Sequence, residues 1–215
     1  MARCRDVATY DALIRLYSQI HGVPFQLVKG TLAVESWDWN PMSYKYEPPS
    51  RSLPDGGASF GLMQLLGSTA RGLGYTGPIP ALIRDTSLHV YPGAPTRNGL
   101  FDPTVSIDLG IRLLKQNLAR AGGNMDRAVS AYNGGWRPDK GFGTPLADGR
   151  FGNQAYVDAV RQCTAHYATQ LPPAAQADTA AFVGRAAPSA PVPAKTIAGI
   201  LGSLLALLAW WLTRK

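Results

Sequence analysis

Glu35 is one of only two glutamates among the 215 residues, and its neighbours give the carboxyl a use. It stands in the run Gly30-Thr31-Leu32-Ala33-Val34-Glu35-Ser36, behind Gly22-Val23-Pro24, a turn that sets proline at a first helical position. A helix over 24–36 places Val28, Leu32 and Glu35 at i, i+4 and i+7 on one face. That stripe is apolar apart from Glu35, so the carboxyl is expected to be partly buried. Burial disfavours the ionised form and raises the pKa. A carboxyl still protonated near neutral pH is what a general acid requires. Taken alone, Glu35 reads equally well as a solvated or capping residue at a helix end, as most acidic side chains are.

Three later segments offer what such an acid would need around it. In Ser59-Phe60-Gly61-Leu62-Met63-Gln64-Leu65, Gly61 permits a close backbone approach or an unusual turn. Met63 is an adaptable apolar filler, and Gln64 carries both a donor and an acceptor. An amphipathic stretch, Met125, Ala128, Val129 and Tyr132, leads to Asn133 and a helix stop at Gly134-Gly135. Tyr156 falls in a final helix expected over about 153–169. Singly, Met63 reads as core, Asn133 as a helix stop and Tyr156 as an aromatic on an apolar face.

In this order and at these separations the segments resemble the catalytic domain of the soluble lytic transglycosylases, relatives of goose-type lysozyme. The resemblance takes in Gly22-Val23 and Leu100-Phe101-Asp102-Pro103 and covers roughly residues 10–167. It implies a mainly α, lysozyme-like domain with Glu35 as catalytic acid and base. It further implies that Ser36, Gly61, Met63, Gln64, Tyr132 and Asn133 contact the saccharide, with Tyr156 hydrogen-bonding near the catalytic carboxyl. The substrate so implied is bacterial peptidoglycan, cut at the β-1,4 bond between N-acetylmuramic acid and N-acetylglucosamine, with no cofactor and no metal.

Retaining and inverting glycosidases normally flank the scissile bond with two carboxylates. No second acid accompanies these motifs with comparable force: Asp38, Glu47 and Asp55 read as loop or turn residues. One carboxyl suits transglycosylation, in which Glu35 protonates the glycosidic oxygen and then deprotonates the muramoyl primary hydroxyl, closing an anhydro ring without water. If Asp38 or Asp55 positions a water, the same fold gives a lysozyme. A catalytically silent wall-binding or membrane subunit is the alternative from a different class.

The chain departs from the family pattern in places. Glu35-Ser36-Trp37-Asp38-Trp39-Asn40-Pro41 carries one residue more than the usual Glu-Ser, one residue, aromatic, Asn-Pro, which leaves the directions of Trp37 and Trp39 open. Gly152 and Gln154 stand where many relatives hold charges before the tyrosine. Residues 75–100, with four prolines, read as a surface loop.

The elements that must position the site are helical. Val7, Tyr10, Ile14 and Tyr17 form one stripe, and Ile107, Ile111, Leu114 and Leu118 a cleaner one behind Asp102-Pro103, a good N-cap and first-turn pair. No long alternation argues for an extensive sheet, and only a small hairpin is suggested within 42–60. The catalytic domain is assigned to residues 1–170.

Residues 171–195 hold nine alanines and five prolines, a linker. The sixteen uncharged residues 197–212 follow, bracketed by Lys195 and Arg214. They make about 24 Å of helix, and with flanking threonines and snorkelling cations the expectation is a single membrane span over 196–213, in contact with lipid. Trp210 and Trp211 suit an interface. The first eight residues hold no apolar signal-peptide core. A wall-cutting enzyme carried on the membrane of a bacteriophage particle fits this layout by resemblance, with a bacterial envelope location as the alternative.

The formal net charge is +7, of which +4 falls in residues 1–170 (17 basic against 13 acidic). That excess suits anionic wall polymers or lipid headgroups. Without a basic run or interleaved aromatics it does not suggest nucleic acid. Cys4 and Cys163 either pair, if the first and last helices meet, or stay reduced, and free thiols are favoured for a cytoplasmically made chain. The histidines His21, His89 and His166 are too scattered for a metal site.

Overall fold

A computed structural model describes residues 4–5, 7–49, 56–93 and 99–170. The linker over 171–195, the membrane span over 196–213 and Asp55 lie outside the described residues. Among the described residues six α-helices surround a small sheet: α1 (Asp11–His21), α2 (Phe25–Glu35), α3 (Gly67–Gly72), α4 (Pro103–Arg120), α5 (Met125–Gly134) and α6 (Gln154–Thr169). Helix α1 starts later than its stripe suggested, since Val7 and Tyr10 precede it. Gly22 ends it in the left-handed region (φ 68°), donating its N–H to the Ser18 carbonyl, and Pro24 caps the next helix. Asp102 caps α4 as its sequence indicates, accepting from the Thr104 N–H at 2.7 Å.

Helix α2 is the centre of the domain. Its residues from Gln26 to Leu32 are buried all the way round, whereas an amphipathic stripe alone would leave one face wet. The reason is that both α1 and α6 pack against it. At the α2–α6 crossing Gly30 meets Thr164 so closely that a Cβ there would lie 2.6 Å from Thr164 Oγ1 and 2.9 Å from its backbone nitrogen. Lys29 is buried beside it, 2.8 Å from Asp11 of α1 and over the rings of Phe25, Trp39 and Tyr167. This cation ties α1, α2 and α6 together, and its partner carboxylate offsets the desolvation that an unpaired ammonium would suffer.

The suggested hairpin is present. Strands β1 (Tyr44–Glu47) and β2 (Gly57–Phe60) pair antiparallel with Tyr44 opposite Phe60, and β3 (Leu65–Leu66) adds on the other side of β2. Residues 75–93 are more than the surface loop expected. The Tyr44 N–H donates to the His89 carbonyl, the Tyr91 N–H to the Met42 carbonyl, and the Tyr44 hydroxyl to the Ile83 carbonyl at 2.5 Å. These bonds stitch the segment along the start of β1.

Cys4 and Cys163 form a disulfide, which corrects the expectation of free thiols. The amino-terminal segment runs beside α6, where the Tyr167 hydroxyl also donates to the Arg5 carbonyl at 2.7 Å. Pairing of these two cysteines depends on that long-range approach, which no spacing rule encodes. Among the described residues no helix is long and apolar enough to cross a membrane, and no cluster of His, Cys, Asp or Glu could hold a metal.

Gly30→Ala tests the helix crossing. Alanine favours helix by about 1 kcal/mol over glycine, but the added methyl must push α6 away, so a net loss of about 1–3 kcal/mol is expected from denaturant unfolding. Unchanged or increased stability would show that the two backbones are not in tight contact.

Candidate active site

Glu35 is the last residue of α2, and Ser36 leaves the helix in an extended conformation. The Ser36 N–H and hydroxyl both donate to the Leu32 carbonyl at 2.9 Å, so this serine ties off the helix end. The carboxyl of Glu35 meets α6, where the Tyr156 hydroxyl donates to its Oε1 at 2.5 Å. Burial pushes the Glu35 pKa up from 4.5 to about 7; the Tyr156 hydrogen bond and the charge of Lys45 oppose that rise, and the charge of Glu47 adds to it. The carbonyl end of the α2 dipole also disfavours a negative charge there. Glu35 in turn pushes the Tyr156 hydroxyl well above its usual range, after burial. The tyrosine therefore stays a hydrogen-bond donor.

Two cavities meet at this carboxyl, one of about 380 Å3 and one of about 680 Å3. Glu35, Lys45, Glu47, Pro48 and Gln64 line both, so they form one groove with the acid at its waist. The smaller lobe runs to Trp37, Thr86 and His89. The larger runs past Tyr132 and Asn133 to Trp136 and Arg137. Volumes of this order suit a bound ligand of several rings.

Four of the residues singled out in the sequence, Glu35, Gln64, Tyr132 and Asn133, border the larger lobe, and Ser36 borders the smaller one. Gln64 has left-handed backbone (φ 45°), unusual for a side chain of its size, and donates its amide to the Gly61 carbonyl at 2.9 Å. Asn133, in the last turn of α5, accepts from Asn153 at 3.1 Å and lines the larger lobe.

Gly61 and Met63 lie behind the groove wall and border neither lobe. Gly61 is required by packing: with φ at 77°, a Cβ would meet the Leu100 carbonyl oxygen at 2.1 Å. Met63 is fully buried with its side chain against Gly110 of α4. Its backbone carbonyl accepts from the Tyr132 hydroxyl at 2.8 Å and its N–H donates to Ser106. Their service is to hold the turn that presents Gln64.

Lys45 and Glu47 escaped the sequence reading as groove residues. They lie two apart on β1, joined at 2.9 Å, and so share the face that looks at Glu35. Glu47 is thus a strand residue, against the loop or turn assignment. The alternation Tyr44-Lys45-Tyr46-Glu47 was the available signal, but four residues are too few to stand out. Asp38 pairs instead with Arg5 and borders a separate cavity that Glu35 does not line.

The sequence of residues 12–141 matches the transglycosylase SLT domain family, a span that contains Glu35, Gln64, Tyr132 and Asn133. The chain belongs to the transglycosylase SLT family. The enzyme class inferred from the sequence motifs is therefore that of its family. The SLT match ends before α6, so Tyr156 is joined to the site by geometry. Among solved structures the chain is similar to an inactive mutant of the lytic transglycosylase Slt from Pseudomonas aeruginosa, at 21% identity and a TM-score of 0.49. That similarity covers 76% of this chain and 24% of the other, so the chain spans about a quarter of that protein's length. No curated protein sequence matches it.

The electrostatics of this SLT site predict a stability signature. Folded Glu35 keeps its proton up to about 7, whereas the unfolded side chain loses it near 4.5. Between these values the folded state binds the extra proton, so stability falls as pH rises through that window and levels off above it. Glu35→Gln removes this dependence. Its unfolding midpoint should gain on wild type from pH 4.5 to 7 and then run parallel to it. Tyr156→Phe removes the bond that favours the carboxylate, so NMR titration should find the Glu35 pKa above that of wild type. A lower value would mean that the hydroxyl does not stabilise the anion.

Proposed function

We propose that the chain is a peptidoglycan lytic transglycosylase that cleaves the β-1,4 bond between N-acetylmuramic acid and N-acetylglucosamine and leaves anhydro-muramoyl ends. The observation that carries this reading is the Glu35 carboxyl, protonated to about pH 7, at the waist of a two-lobed groove in an SLT domain. A glycan strand laid along the groove puts its glycosidic oxygen against Glu35. The proton passes to that oxygen as the bond from the muramoyl C1 breaks, and N-acetylglucosamine leaves as an alcohol. The new carboxylate keeps the Tyr156 hydrogen bond and the field of Lys45. It then takes the proton of the muramoyl primary hydroxyl, whose oxygen bonds to C1. Glu35 ends protonated as it began, and no water is consumed.

One observation favours a second reading. Glu47 borders the same groove and could hold a water for hydrolysis, as the second carboxylate of a lysozyme does. Its ion pair with Lys45 commits one of its oxygens elsewhere, which supports the lytic reaction.

The same reading sets the domain on the linker over 171–195 and an anchor over 196–213, in a bacteriophage particle membrane that opens the wall locally during infection, or alternatively in a bacterial envelope. The uncharged run 197–212 supports an anchor. The Cys4–Cys163 disulfide supports exposure to oxidising surroundings outside the cytoplasm.

Purified wall digested by the full-length protein is expected to release anhydro-muramoyl products, and Glu35→Gln to lose at least 10²–10⁴-fold of that activity while staying folded. Products heavier by one water that disappear in Glu47→Gln would establish the hydrolytic reading. Wall binding without any cleavage would leave a silent binding subunit. Sedimentation with membranes, released by detergent, checks the anchor.

A further inference from the structure

We propose that Trp37 is a sugar-stacking platform in the smaller lobe of the groove, holding a pyranose ring of the glycan strand by its C–H face beside Glu35. The proposal rests on the glycan-cleaving reading and adds to it a residue that fixes the strand's grip and register.

Trp37 and Trp39 have opposite fates. Trp39 is 7% exposed and packs in the core under Lys29, whereas Trp37 is 53% exposed. Trp37 lies two residues after the acid and borders the lobe that contains Glu35, Lys45 and Gln64. An indole left open beside a polar groove is the chemistry that carbohydrate C–H groups prefer, because their weakly positive hydrogens meet the negative face of the ring.

The ring is also held in place before any ligand arrives. His89 stacks on one face at 4.0 Å between centroids and only 6° from parallel. The backbone beneath the ring is fixed as well: the Trp37 main-chain N–H donates to Ser43 Oγ at 2.8 Å, and its carbonyl accepts from the Asn40 N–H at 3.0 Å. Asp38 and Trp39 follow in consecutive left-handed conformations, φ 52° and 59°. Such a conformation is strained for a non-glycine residue and persists only where its surroundings fix it. Here the Arg5–Asp38 pair and the burial of Trp39 do so. This turn absorbs the residue by which 35–41 exceeds the usual family spacing, and its effect is to send Trp39 inward and leave Trp37 out. His89 comes from the 75–93 segment, so two of the three departures from the family pattern converge on this one ring. A ring fixed in this way loses little entropy when a sugar stacks on it.

The test uses a soluble β-1,4-linked N-acetylglucosamine oligomer as probe, titrated by calorimetry into full-length Glu35→Gln protein, together with wall digestion by the otherwise wild-type chain. Trp37→Ala should weaken oligomer binding about 5–20-fold, given the energy of a stacked pair. In digestion it should raise the half-saturating wall concentration while leaving the maximal rate within about twofold. Trp37→Phe should recover most of the affinity, and His89→Ala, which frees the ring, should lose a smaller part. Unfolding midpoints of these variants report that the domain is intact. A folded Trp37→Ala protein that binds as tightly as its parent overturns the platform. If the parent binds no oligomer and wild type cuts no wall, the glycan reading itself falls, and the platform with it.

Discussion

The closeness of α2 and α6 at Gly30 governs the rest of this structure. Helix α2 brings the acid and α6 brings the tyrosine that holds it, and the two meet only because nothing larger than hydrogen stands between Gly30 and Thr164. A helix buried on all sides has no freedom to slide, so the position of Glu35 is inherited from its core packing. The Glu35 carboxyl is therefore placed by side chains a full turn and more away from it. The small sheet then supplies the opposite wall of the groove, in which Lys45 and Glu47 set the charge.

Support for the site is indirect in a consistent way. Tyr132 borders the groove, yet its hydroxyl is spent on the Met63 carbonyl, which steadies the strained turn that carries Gln64. Ser36 spends its hydroxyl on the end of α2. Asn153, at the start of α6, donates to Asn133 and accepts from Ser130, so α5 and α6 share the alignment of the larger lobe. Several residues of the groove thus act on the backbone that presents the next one. Such placement is what preorganised electrostatics require, since dipoles that must first reorient stabilise less.

Much of this was legible in the chain. Glu35 was visible because a helix period and a lone carboxyl coincide, and the Asp102-Pro103 start and the helix stop at Gly134-Gly135 are local chemistry. What escaped depends on contacts far apart in sequence. Met63 was assigned to the saccharide, and only the approach of α4 at Gly110 shows why its side chain is core. Lys45 and Glu47 sit on a four-residue strand whose identity comes from pairing with β2 and from the 75–93 segment beside it. The Cys4–Cys163 bond requires two chain regions 159 positions apart to meet, which no local pattern states.

That disulfide also gives the domain a mechanical grain. Pulling on the chain from residue 170 peels α6 from its carboxy-terminal end, one turn at a time. Peeling halts at Cys163, because the next turn can leave only if the amino-terminal segment tethered at Cys4 is torn away with it. Tyr156 lies seven residues inside that stop, about two helical turns. Tension entering from that end is thus borne by a covalent crosspiece before it reaches the Glu35–Tyr156 pair.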